Sequence, residues 1–161
     1  MKVYGGYTLP THTTVSLFFS AASGTPITSL VVTSDGQTVM VNGRGDLGRT
    51  PALSRTDLLV AHEVTLKDKK KVRLELNMLN LFNQKTVTHV FNFVNRGAPG
   101  GSNLVSTSAI SLTGVNLANG YDYNAMILAT PDGANAKDPR YGQPDLWSPG
   151  LQGQFSLKFT Y

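Results

Sequence analysis

Apolar and polar residues alternate with a period of two in five stretches of this 161-residue chain, the spacing expected where successive side chains point to opposite faces of a strand. The first covers residues 2–9, with Val3, Tyr7 and Leu9 in one phase and Lys2 and Thr8 in the other. The second, 13–21, sets Val15, Leu17, Phe19 and Ala21 against Thr14, Ser16 and Ser20, and Phe18 breaks its polar phase. The third, 56–66, carries Leu58, Val60, Val64 and Leu66 against Asp57, Glu63 and Thr65, interrupted by Leu59 and His62. The fourth is the most regular: Val72, Leu74, Leu76 and Met78 alternate with Lys71, Arg73, Glu75 and Asn77, and the run continues through Asn83, giving 71–83. In the last, 151–161, Phe155, Leu157, Phe159 and Tyr161 alternate with Gln154, Ser156, Lys158 and Thr160.

These runs approach the 9–11 residues that a tilted strand needs to cross a bilayer, longer than the ~5–6 typical of soluble sheets. Their connections alternate in length. Only Pro10-Thr11-His12 separates the first pair and Lys67-Asp68-Lys69-Lys70 the second, whereas residues 22–55 and 84–150 form long insertions. Two such insertions are uncommon in a compact soluble domain. Short periplasmic turns and long extracellular loops are the rule in outer-membrane barrels. Within the first insertion, Leu30–Ser34 and Gln37–Val41 flank Asp35-Gly36, which predicts a hairpin with a two-residue type I′ turn. Within the second, Asn119-Gly120 followed by Tyr121–Leu128 predicts one or two helical turns. No repeat of 20–50 residues is visible.

Composition sharpens this picture. Charged residues are 15% of the chain against 40% hydrophobic, short of the ~25% charge of soluble domains. There is no cysteine, which excludes disulfides and thiolate chemistry. The net charge of +4 owes much to the lysines at 67–71, a solvated turn rather than a nucleic-acid stripe. No apolar run reaches the ~18 residues of a spanning helix, and the N-terminus has no export signal. The expectation is a transmembrane antiparallel β-barrel segment, its last five long strands, with further N-terminal sequence elsewhere. Five strands do not close a barrel, and open edges in lipid leave backbone groups unpaired. In the fourth run, the phase of Leu74 would face lipid and that of Arg73 the lumen; Arg73 on the lipid side would cost about 2–4 kcal/mol at the midplane. Tyr4, Tyr7, Phe82, Phe155 and Tyr161 are expected in interfacial girdles.

Several motifs together resemble a known family. Ser23-Gly24-Thr25-Pro26, Asn42-Gly43-Arg44-Gly45, Gly48-Arg49-Thr50-Pro51, Asp57, Asn80-Leu81-Phe82-Asn83, Asp138-Pro139-Arg140-Tyr141-Gly142-Gln143-Pro144, Pro149 and the terminal Gln154–Tyr161 resemble, in order and spacing, the C-terminal barrel of TonB-dependent transporters of the Oar-like subgroup, which carry an N-terminal carboxypeptidase-regulatory-like domain. The resemblance implies a 22-stranded outer-membrane barrel filled by a plug, which binds its substrate outside and imports it with energy passed from TonB. Oar-like members are also associated with protein export or large substrates. The plug, the TonB box and most strands have no counterpart in these residues. The implied partners are outer-membrane lipid, the remaining strands and plug, TonB through that N-terminal part, and the barrel-assembly machinery. Phe155, Leu157, Phe159 and Tyr161 resemble the C-terminal signal read by that machinery, although Gly153 shares their phase and departs from its usual spacing.

Catalytic chemistry finds little footing. His12, His62 and His89 lie in a turn, a strand and a loop, with no Gly-x-Ser-x-Gly elbow. No zinc or calcium spacing is present, and no cofactor is expected. Arg44-Gly45-Asp46 spells an adhesion tripeptide inside a Gly-rich loop, and Gly43, Gly45 and Gly48 do not open a helix after a strand as a phosphate loop would. Loops on a rigid scaffold carry recognition, which nominates Arg44, Arg49, Arg140, Tyr141 and Trp147 as ligand contacts; their bland role is packing the loops together. The competing reading is a soluble β-sandwich binding module, lectin- or capsid-like, with the apolar phase packed on a second sheet.

Overall fold

The computed structural model describes residues 1–67, 70–96 and 107–161. Among these are nine strands: β1 (Lys2–Thr8), β2 (Thr13–Ala22), β3 (Leu30–Val32), β4 (Thr38–Met40), β5 (Leu53–Thr65), β6 (Lys71–Leu79), β7 (Val87–Val90), β8 (Pro144–Trp147) and β9 (Gln152–Thr160). One helix, α1 (Tyr123–Leu128), and 3-10 turns at Leu117–Asn119 and Gly133–Ala136 complete the elements. The chain is mostly β, and its largest sheet is five-stranded and antiparallel, in the order β1-β2-β5-β6-β9. These are the five alternating runs, with shifted ends. Two compact units divide the chain: 1–24, 51–88 and 147–161 hold the five-stranded sheet, and 25–50 with 89–146 form the other.

In the sheet unit the tight connections are built locally. Between β1 and β2, Leu9 N donates to Thr13 O at 2.8 Å and His12 N to Leu9 O at 3.1 Å, with His12 at φ 59°. Between β5 and β6, Leu66 N donates to Lys70 O at 2.7 Å; Asp68 and Lys69 of the Lys-rich turn lie outside the described residues. The fourth strand ends at Leu79, not at Asn83. Asn80 and Asn83 take φ values of 55° and 51°, a left-handed conformation that Asn tolerates better than most residues and that no ladder continues through. Pairing in β5 begins at Leu53, earlier than alternation alone predicted, because Leu53 to Arg55 face Ala22 to Ser20 across the ladder. Two short strands, β7 and β8, escaped the sequence reading and form a ribbon of their own.

The second unit revises the picture of two long loops. Thr25–Thr50 and His89–Leu146 together enclose a core of Val31, Val94, Ile110, Ile127 and Ala136, each at most 5% exposed. Burying side chains of this size stabilises by roughly 1.5–3 kcal/mol for the larger ones, so the segments fold on each other. The β3–β4 hairpin is present, but its turn differs from the expectation. Thr33 N donates to Gln37 O and Gly36 N to Thr33 O, each at 2.9 Å, which makes a three-residue loop. Only Gly36 is left-handed (φ 78°), whereas a type I′ turn also needs positive φ at Asp35. Helix α1 falls inside the predicted 121–128 window; Asp122 caps it by accepting from Ala125 N at 3.0 Å. Asn95, fully buried, serves the core as a surrogate backbone: its side chain accepts from Val32 N at 2.8 Å and donates to Val32 O and Ser108 O. Buried main-chain groups paired this way avoid a desolvation penalty.

Candidate functional site

Cross-strand register places the apolar phases of all five runs on one face. Val3 lies opposite Phe19, Tyr7 opposite Val15, Leu17 opposite Leu58, Val60 opposite Leu76, and Leu74 opposite Leu157. That face is open: Tyr7 and Phe155 are each 69% exposed, Leu157 65% and Phe159 53%. In water, each such side chain forgoes on the order of 1 kcal/mol of transfer free energy, and an apolar patch of this kind marks a contact surface. His62 shares the face near the tight-turn end, where its Nδ1 is hydrogen bonded to Thr13 Oγ1 at 2.9 Å. The imperfection in the third run is therefore a satisfied polar group.

The opposite face carries the charges. Arg55 pairs with Asp57 at 2.8 Å, Lys71 with Glu63 at 2.7 Å and Arg73 with Glu75 at 2.5 Å. Phe18 and Leu59 lie on this face with Tyr4, Gly6, Asp57 and Asn77, lining a shallow groove of about 410 Å³. Gly6 is needed for the local approach of β1 to β2, since a Cβ there would stand 2.6 Å from Ser16 Oγ. Tyr4 points away from the apolar face, contrary to its expected place in an interfacial girdle, because it shares the phase of Lys2 and Thr8. Tyr7 and Tyr161 remain on the apolar phase at the tight-turn end.

At the other end of the sheet, one buried asparagine ties three segments. Asn80 Nδ2 donates to Gln84 O at 2.9 Å and Pro149 O at 2.8 Å, while its Oδ1 accepts from Gln84 N at 2.9 Å. Its own N–H donates to Asp57 Oδ1 at 2.8 Å, and Asn83 Oδ1 accepts from Leu151 N. Asp57 and the Asn80–Asn83 motif are thus partners in one rim structure. Beside them a cleft of about 160 Å³ is lined by Ser20, Ser54, Arg55, Gln84, Ser148 and Gln152, among others. Gln84 Oε1 is buried there without a hydrogen-bond partner among the described residues, while Gln84 Nε2 donates to Ser54 Oγ at 3.0 Å.

The nominated ligand residues serve different ends. Tyr141 packs against the core of the second unit and shares a 2.7 Å hydrogen bond with Ser29 Oγ. Arg140 grips Asp138 through Nε at 3.0 Å and Nη2 at 2.8 Å and lies 4.1 Å over the Phe91 ring, a bidentate and cation–π arrangement. The Arg140 guanidinium holds the nearly buried Asp138 carboxyl below the usual carboxylate range. Arg44 is exposed in the Gly-rich loop, Arg49 bridges to Pro26, and Trp147 stands half-exposed on β8. Asp46 is spent on the fold: it accepts from Ser29 N at 2.7 Å and from Asn42. Burial would raise its carboxyl, but these hydrogen bonds outweigh that and hold it low, which ties the Arg44-Gly45-Asp46 tripeptide to a structural role. Phe155, Leu157, Phe159 and Tyr161 form an exposed apolar row on β9 and its end, with the last two rings 6.3 Å apart.

Among the described histidines, His89 Nδ1 meets Asp145 at 2.6 Å on an exposed ribbon, whereas His12 and His62 stand at the tight-turn end of the sheet. No helix among the described residues is long and apolar enough to cross a membrane. Comparison with protein-family models, with curated proteins and with solved structures finds no match. The rim cleft and Gln84 had no signal in sequence, because Ser20, Ser54, Gln84 and Ser148 are brought together only by strand pairing. β7 did have one, in the β-branched run Thr86-Val87-Thr88.

Proposed function

We propose that this chain is a wall segment of an outer-membrane β-barrel, the C-terminal part of a transporter of the TonB-dependent, Oar-like type, in a Gram-negative-type bacterium. The observation that carries this reading is the open apolar face. Five paired strands present a continuous oily surface on one side and ion-paired residues on the other, the division that lipid and a watery lumen demand. Length supports it too, since β2, β6 and β9 span 10, 9 and 9 residues. A soluble sandwich needs a second sheet over the apolar face, and those side chains stand exposed. The folded unit built from the two long segments would then lie on the extracellular side, offering Arg44, Arg49 and neighbouring loop residues to a ligand. Substrate import would use the plug and TonB contacts supplied by other parts of the transporter. The chain's own task is a rigid, lipid-sealed wall and an outward recognition surface.

Spin labels at Leu74→Cys, Glu75→Cys, Leu157→Cys and Ser156→Cys in the whole gene product, reconstituted in lipid, test this. Expected is period-two alternation, with oxygen broadening labels 74 and 157 and a water-soluble nickel chelate broadening 75 and 156. Uniform access of the chelate to all four sites would overturn the reading.

A further inference from the structure

We infer that β1 and β9 are seams completed by an odd number of strands from outside these residues, and that the flanking strands present carboxylates to Lys2 and Lys158 on the polar face. The inference rests on the barrel reading for its setting but on separate observations. In the five strands the acids are Asp57, Glu63 and Glu75, and each is engaged by Arg55, Lys71 and Arg73 respectively. The two cations left over sit on the two edge strands, Lys2 on β1 and Lys158 on β9. Lys158 stands directly opposite Arg73, a like-charge pair, and Lys2 opposite Ser20. Directly opposed like charges destabilise a ladder, so relief for Lys158 must come from its other flank, the open edge.

Strand direction decides what that flank can be. In an antiparallel sheet ordered β1-β2-β5-β6-β9, the first and fifth strands run the same way. A second copy joined head to tail would pair β9 with β1 in parallel, out of keeping with an all-antiparallel wall. A copy joined through a two-fold axis at β9 would be antiparallel, but would stand upside down in the membrane. An all-antiparallel closed wall holds an even number of strands, so the remainder is odd, with its end strands antiparallel to β1 and β9. Lysine on an edge also discourages stray pairing, and the experiment separates that role.

The whole gene product in outer membranes is treated with a water-soluble carbodiimide, which joins amines to carboxylates in contact, and its peptides are read by mass spectrometry. Expected is a link from Lys158 to an Asp or Glu outside residues 1–161, absent from Lys158→Arg, which stays folded. Linkage only to Glu63 or Glu75, or a Lys158 amine as reactive as an open lysine, overturns the proposal. As a second measurement, Lys158→Glu should lower the folded, heat-modifiable fraction several-fold, with recovery when the linked acid is changed to Lys. An unchanged fraction assigns Lys158 to edge protection and also overturns the seam. A cross-link in a protein whose Leu74 and Leu157 labels lie in water would keep the seam and sink the membrane reading; the reverse result would do the opposite.

Discussion

Asn80→Ala isolates the contribution of a single side chain to the rim of the sheet. Asn80 is 3% exposed, and its side chain makes three hydrogen bonds, two donated to Gln84 O and Pro149 O and one accepted from Gln84 N. A typical intramolecular hydrogen bond is worth about 0.5–1.5 kcal/mol net, and a buried partner left unsatisfied costs about 1–3. Three bonds at about 1 kcal/mol each, with part of the rim opening to water, give a loss of about 3 kcal/mol. A further cost of about 1–2 kcal/mol follows because alanine must hold the φ of 55° that asparagine tolerates. The expected total is therefore about 4–5 kcal/mol. Asn80→Gly removes the same bonds but not the backbone tolerance and should lose only about 3. The difference between the two variants measures the backbone term alone, and both are read from urea unfolding of the whole gene product in detergent. Equal losses in the two variants would refute the left-handed argument, and losses below about 0.5 kcal/mol in both would refute the rim knot itself.

Two more predictions concern the second unit. Asp138, Asp132 and Asp46 are all held below their ordinary carboxylate range, Asp138 by Arg140 and Asp132 by Ser108 and Thr107. A lowered folded value adds stability that is full above the unfolded value, near 3.9, and is lost as pH falls through the folded one. The urea midpoint of this unit should therefore drop between pH 5 and pH 2, and Asp138→Asn should shrink that drop; an identical drop in the variant would remove Asp138 from the account. Tyr141→Phe leaves the buried Ser29 hydroxyl without its 2.7 Å partner and should cost about 1–2 kcal/mol without moving the sheet unit's transition. A loss confined to ligand binding, with stability unchanged, would instead restore Tyr141 as a recognition residue.

The alternation of residues in Lys71–Met78 and Phe155–Tyr161 was enough to place five strands and their two faces, because a period of two is a local property that any pleated strand must express. Loop lengths indicated which strands are joined by tight turns, and Asp122 and Asp35-Gly36 marked a helix start and a hairpin, since capping and turn chemistry are also local. Strand ends were less legible: Leu79 and Asn80 look continuous in hydrophobic pattern, and only the left-handed backbone at Asn80, held by groups as far along the chain as Pro149, ends the ladder. That the segments 25–50 and 89–146 share one core could not be read at all, because Val31, Ile110 and Ile127 are distant in sequence and no periodicity links them. Tertiary structure alone likewise turned Arg140 and Tyr141 from nominated ligand contacts into partners of Asp138 and Ser29. It also left Lys2 and Lys158 as the unpaired cations of the sheet, since charge pairing across strands depends on register, which the order of residues does not display.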